Sequence, residues 1–133
     1  MILIDTHVLV WLEYGSDRLG KKSLAIIDQA LHDGKLAVSA VTFWEIAMLV
    51  EKKRLLTEIE PDVWRRDLLR LGLNEVPLRG DTAILAGKLP KLHGDPADRI
   101  IVATAIDYSA TLITADKKIL NWEGLLQVMD AGR

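Results

Sequence analysis

HGDPADRIIVATAIDYSATLITAD, residues 93–116, reads as a loop, a capped helix, a turn and a strand that ends on an acid. Asp95 followed by Pro96 opens a helix in the favoured way, with an acid at the N-cap and proline at the first helical position. Asp98 falls in the first turn, and residues 100–106, IIVATAI, are apolar almost all round, as in a helix buried within a core. Ser109 and Ala110 end that helix. TLI, residues 111–113, is short and apolar enough for an inner parallel strand, and Asp116 follows at once. The unit brings two carboxylates, Asp98 and Asp116, to one end of a buried helix and strand.

Working outward, the same alternation repeats. ILI at 2–4 is a first strand, and Asp5 and Thr6 sit where the chain turns into a helix through Val8, Leu9, Trp11 and Leu12. Asp5 has a plain reading as an N-cap. A second helix presents Leu24, Ile27 and Leu31 on one face and stops at Asp33 and Gly34. Residues 35–39, KLAVS, form the second strand, and residues 40–50 a helix with Val41, Trp44 and Met48 in register. Thr42 and Glu45 have capping-box spacing, but Ser39 is the better-placed cap. Glu45 then lies past the first turn beside Trp44 and Met48, where an acid is unexpected.

Glu60 and Pro61 open a further helix with Val63, Trp64, Leu68 and Leu71 inward and Arg65, Arg66 and Arg70 outward, ended by Gly72. Residues 74–77, NEVP, read as a strand that Pro77 confines to an edge. Asp81 is expected to cap a short helix, and residues 125–128, LLQV, to form the last strand. Strand and helix alternate with short connections, so the class is α/β with a parallel sheet and helices on both faces. Right-handed crossovers from a central first strand give the order 3-2-1-4-5 for five strands. Strand order reverses between strands one and four, whose carboxyl ends carry Asp5 and Asp116; open parallel sheets bind ligands at such a point.

With 133 residues the chain is expected to be one domain, 1–133, able to bury a sizeable core. The absence of cysteine excludes disulfides and thiolate metal sites and fits a cytoplasmic protein. No apolar run is long enough to span a membrane, and the N-terminus has no basic region or cleavage site. Net charge of −2 and a pI near 5.9 give no support to nucleic-acid binding; charge alone argues against it.

The acids reverse that expectation. Asp5 and Asp116 share the crevice, Glu45 follows the neighbouring strand, and Asp98 stands on the helix feeding strand four. Four carboxylates so close cannot all ionise unless pKa values rise or a cation neutralises them. The three histidines, His7, His32 and His93, are scattered along the chain, so an imidazole site is not expected. Oxygen ligands point to Mg²⁺ or Mn²⁺. Such a site suits attack by water on a phosphodiester, and a polyanion reaches it through the metal. Thr114 either orients the attacking water or caps the short helix after it.

LIDTH (3–7), SAVTFWEIA (39–47), HGDPADR (93–99) and LITAD (112–116) together resemble the PIN-domain ribonucleases, and in particular the VapC toxins of bacterial and archaeal toxin–antitoxin pairs. The likeness covers the whole chain, and its specific part is DPADR with WEIA upstream. It implies a PIN-like three-layer fold and a Mg²⁺- or Mn²⁺-dependent endoribonuclease leaving a 5′-phosphate and a 3′-hydroxyl. Carried over, Asp5 and Asp98 are direct metal ligands, Asp116 is a ligand either direct or through water, and Glu45 holds metal-bound water or acts as base. Thr6 and Thr114 match small polar positions beside the acids. His7 receives no chemistry, Asp95 is explained by its N-cap role, and Arg99 either touches substrate or is a surface or salt-bridging arginine.

The likeness further implies an RNA substrate, a homodimer and inhibition by a small VapB-like antitoxin. Such antitoxins thread an extended arm with an apolar anchor and a basic residue into the acidic cleft. Trp11, Trp44 and Trp64 are apolar residues beyond what one small core needs. Rival readings are weaker. A dehalogenase-type phosphatase wants a second acid where His7 stands, and a receiver-like signalling domain wants a lysine after the last strand, where the tail has none. An inactive PIN-fold binding module has no reason to keep four acids.

Overall fold

The structure is a computed structural model and describes residues 1–54 and 59–133. Its centre is a sheet of five parallel strands: β1 (Ile2–Ile4), β2 (Leu36–Ser39), β3 (Asn74–Val76), β4 (Thr111–Thr114) and β5 (Gln127–Asp130). Their order is β3-β2-β1-β4-β5, as crossover handedness predicts, with β3 at one edge. Among the described residues seven helices surround it: α1 (Thr6–Tyr14), α2 (Lys21–His32), α3 (Ala40–Glu51), α4 (Pro61–Arg70), α5 (Gly80–Lys88), α6 (Pro96–Asp107) and α7 (Lys117–Leu120).

Strand residues alternate between two cores, as period two requires. Leu3, Ala37 and Leu112 face a cluster completed by Ala86 of α5 and by Ile101, Val102 and Ala105 of α6. Ile4, Val38 and Ile113 face the opposite cluster, with Val8 and Leu9 of α1, Ile27 of α2, Ile46 of α3 and Trp64 of α4. With both faces covered, β1, β2 and β4 hold nothing that water reaches easily, and their carboxyl ends are fixed by the core beneath.

Several local expectations shift. α5 begins at Gly80 with Arg79 at the N-cap, so Asp81 lies in the first turn and accepts from the Thr82 N–H (3.0 Å). Leu24 is exposed, and α2 instead buries Ser23, Ile27 and Ala30. On α4, Trp64 is buried while Val63 and Leu71 face outward. β5 starts two residues late, at Gln127, because pairing with β4 runs Thr111 to Gln127 through Thr114 to Asp130, leaving Leu125 92% exposed. Among the described residues no helix is long and apolar enough to cross a membrane.

Candidate active site

The carboxyl ends of β1 and β4 lie side by side, and the Asp5 N–H closes onto the Ile113 carbonyl (3.0 Å). Asp5 caps α1, one oxygen accepting from the Thr6 N–H (2.8 Å). Its other oxygen accepts from the Thr114 hydroxyl (2.7 Å), and Thr114 Oγ1 in turn accepts from the Asp116 N–H (3.1 Å). The capping reading of Thr114 is thereby replaced. α7 is capped by Asp116, which accepts from the Lys118 N–H (2.8 Å), and the Thr114 hydroxyl is committed to Asp5. Burial pushes the Asp5 carboxyl up against the opposing pull of those two hydrogen bonds.

Ser39 caps α3, its hydroxyl accepting from the Val41 N–H (3.2 Å), so Glu45 stands in the second turn as the better-cap argument requires. The Thr6 hydroxyl donates to Glu45 Oε1 at 2.5 Å. Its single proton being used there, Thr6 accepts from the fully buried Thr42 hydroxyl at 3.0 Å. Thr42, considered in the sequence only as a weak cap, is the anchor of this relay. Burial raises the Glu45 pKa, Thr6 lowers it, and the charge of Asp5 raises it again.

α6 starts as its sequence predicts, Asp95 accepting from the Asp98 N–H (3.1 Å). The Asp98 carboxyl is pushed up to about 8, first by burial and then by the charges of Asp5, Asp95, Glu45 and Asp116. Five residues earlier, His93 places Nε2 3.4 Å from Asp98 Oδ2 and 3.5 Å from Asp116 Oδ2. That nitrogen is buried and lacks a hydrogen-bond partner among the described residues. One of the three scattered histidines thus stands beside two of the acids, a placement the sequence reading did not include. Leu92 is buried, and the Asp95 N–H points back at His93 Nδ1 (3.4 Å), so the turn before α6 carries the ring over the cleft.

Arg99 is corrected too. It reaches neither the cleft nor an acid: its guanidinium donates to the carbonyls of Ala86 (2.9 Å), Leu92 (2.8 Å), His93 (3.3 Å), Gly87 (3.4 Å) and Leu89 (2.9 Å). It ties the end of α5 and the following loop to α6. His7 is exposed at the cleft wall.

The result is a cleft of about 290 Å³ lined by Asp5, Glu45, Asp98 and Asp116 together with His7, Trp11, Asp95 and Ala115. Two donor triads fall within 4.8 Å, Asp5/Glu45/Asp98 and His93/Asp98/Asp116, with Asp98 common to both. Among the described residues no lysine or arginine pairs with any of these acids. Crowded carboxylates without a lysine or arginine among them suit a divalent cation.

The family model described as the PIN domain matches residues 2–124. The chain belongs to the PIN-domain family. This PIN domain is of the VapC type: it is 34% identical over 119 residues to "Ribonuclease VapC22" of Mycobacterium tuberculosis (strain ATCC 25618 / H37Rv), covering 89% of this chain and 88% of that one. Among solved structures it resembles VapBC2 from Rickettsia felis bound to a DNA fragment from their promoter, with a TM-score of 0.70, 19% identity and coverage of 97% and 98% of the two chains. FitAcB from Neisseria gonorrhoeae gives a TM-score of 0.66 at 24% identity, covering 98% of each chain. At these identities the structural likeness is one of fold.

Proposed function

We propose that this PIN domain is a Mg²⁺- or Mn²⁺-dependent endoribonuclease, the toxin of a type II toxin–antitoxin pair acting in the cytoplasm. The observation that carries the reading is the convergence of Asp5, Glu45, Asp98 and Asp116 on one cleft where, among the described residues, no lysine or arginine pairs with them. The ribonuclease relative from Mycobacterium tuberculosis supports RNA as substrate, and a structure of like fold solved as a toxin–antitoxin complex from Klebsiella pneumoniae (TM-score 0.66, 24% identity, 98% of each chain) supports an antitoxin partner.

A divalent ion held there would supply Lewis acidity for the phosphoryl oxygen, for the attacking water and for the leaving oxygen. Asp5 and Asp98 would hold it, with Asp116 completing the set. Thr114 and the Thr6 N–H fix the Asp5 carboxylate in place. Glu45, oriented by Thr6 through one oxygen, keeps the other for the proton of the attacking water, and its raised pKa suits it to accept that proton. Water adds to phosphorus as its proton passes to Glu45, the bond to the 3′-oxygen breaks, and that oxygen takes a proton from solvent, leaving a 5′-phosphate and a 3′-hydroxyl. An RNA cleavage assay with Mg²⁺ and with excess EDTA tests this; full activity in EDTA would refute it.

The dimer reading keeps only part of its sequence support. Trp64 belongs to the core, whereas Trp44 is exposed. A monomer by light scattering at micromolar concentration would remove it.

A further inference from the structure

We propose that the groove beside the acidic cleft is the subsite for one unpaired nucleobase of a single-stranded RNA, stacked on Trp44 and flanked by phosphates at Lys52 and Arg54. This rests on the ribonuclease reading above and names the form of RNA that the site takes.

Trp44 is 53% exposed, although a tryptophan side chain is costly to leave in water. Trp44, Met48 and Lys52 recur at four-residue spacing and so share one side of α3 and its C-cap. With Leu49, Arg54 and the Pro96 end of α6 they line a groove of about 280 Å³, near the lower end of ligand-site sizes, roughly 300 Å³. That is room for a base and not for a helix of RNA. Glu45 and Asp95 line both this groove and the acidic cleft, so the two are continuous.

Trp11, Phe43 and Trp64 have partners on their rings. Arg18 lies over Trp11 (6.0 Å), and Phe43 meets Trp64 edge-on (6.5 Å). Among the described residues Trp44 has neither an aromatic nor a cationic neighbour on its face. Charge decides what covers it. A polyanion whose scissile phosphate enters an acidic cleft needs positive charge just outside, and Lys52 and Arg54 stand there. An antitoxin arm that is basic, to suit the cleft, would be repelled by the same two side chains. A stacked base with phosphates on either side meets every element of the groove: aromatic face, apolar wall and two cations. Stacking also requires a base already free of its helix, which restricts cleavage to loops and single strands.

The test is fluorescence anisotropy with a labelled single-stranded oligoribonucleotide, in an Asp5→Asn background so that RNA is held without turnover. Base–aromatic stacking of about 1–3 kcal/mol converts to a loss of roughly 5- to 150-fold in affinity for Trp44→Ala. Trp44→Phe should recover most of it. Lys52→Ala and Arg54→Ala should each flatten the dependence of log affinity on log salt by about 0.7, the single-strand value per phosphate. A duplex of equal length should not distinguish Trp44→Ala from its background. Unchanged single-strand affinity in Trp44→Ala overturns the subsite, as does Trp44→Phe proving as weak as alanine. Parent protein that cleaves RNA while Trp44→Ala binds normally leaves the nuclease standing and removes only the subsite. Parent protein that neither binds nor cleaves RNA removes both.

Discussion

Glu75 on the sheet edge and Asp98 at the cleft are both half-sheltered acids, and the chain treats them in opposite ways. Arg65 meets Glu75 with two parallel hydrogen bonds, Nε to Oε1 (2.6 Å) and Nη2 to Oε2 (2.9 Å), and those bonds hold the Glu75 pKa below its ordinary value. Asp98 has four like charges for company and is pushed up to about 8, burial contributing most. Its sequence neighbour Arg99 turns away and gives its guanidinium to backbone carbonyls. The edge supplies its own counter-charge and is finished as folded. The cleft leaves that charge to be supplied from outside.

The largest expected effect divides the two acids by activity. Asp5→Asn or Asp98→Asn should lower Mg²⁺-dependent RNA cleavage by orders of magnitude with the circular dichroism spectrum unchanged. Glu75→Gln should leave cleavage within a few-fold of the parent. Equal losses in all three would erase the distinction drawn between edge and cleft.

Arg99 separates support from chemistry within one motif. Losing a guanidinium that satisfies several carbonyls should cost about 2–4 kcal/mol, since hydrogen bonds to a charged group are individually worth about 1.5–3 and are not additive. Urea unfolding of Arg99→Ala, in EDTA and in Mg²⁺, measures it. A loss of activity with stability intact would mean that Arg99 touches substrate after all.

The pH dependence of stability should have opposite signs at the two acids. Asp98 binds its proton more tightly folded than unfolded, so without metal its contribution is full below pH 4 and is lost as pH rises toward 8. Glu75 is the reverse: the pairing with Arg65 stabilises above the ordinary carboxyl range and is lost on acidification. Urea melts in EDTA from pH 4 to pH 8 should show the first trend in the parent and a flatter profile in Asp98→Asn. An unchanged profile would contradict the burial and repulsion assigned to Asp98.

The smallest effect concerns Asp95, three residues from Asp98. As an N-cap it is served nearly as well by asparagine, so Asp95→Asn should change stability by only a few tenths of a kcal/mol and keep most activity. A dead Asp95→Asn beside an active Asp98→Asn would move the ligand to Asp95.

What the sequence made legible follows from which forces are local. Strand order was readable because crossover handedness and the edge-forcing Pro77 leave few topologies. The caps at Ser39 and Asp95 were readable because capping is settled within four residues, and they fixed where Glu45 and Asp98 point. Hidden from the sequence were contacts made across the fold. Thr42 reaches Thr6 from another element, His93 is carried over the cleft by a turn, and Arg99 finds carbonyls in a loop. β5 was misplaced because two leucines outweighed a register that β4 imposes.

The central claim is that Asp98 stands where the fold lacks a cation, and thermal melts of the parent and Asp98→Asn test it most directly, each in EDTA and in saturating Mg²⁺ or Mn²⁺. In EDTA at about pH 9, where the Asp98 carboxyl has lost its proton, removing that charge from a crowded cleft should leave Asp98→Asn melting at or above the parent. Metal binding only to the native state stabilises by about 2.7 kcal/mol at a hundred times Kd, so the parent's Tm should rise on adding metal and the variant's should rise far less. A variant that melts below the parent in EDTA and gains as much from metal would show that Asp98 is a structural acid and that the cation binds elsewhere.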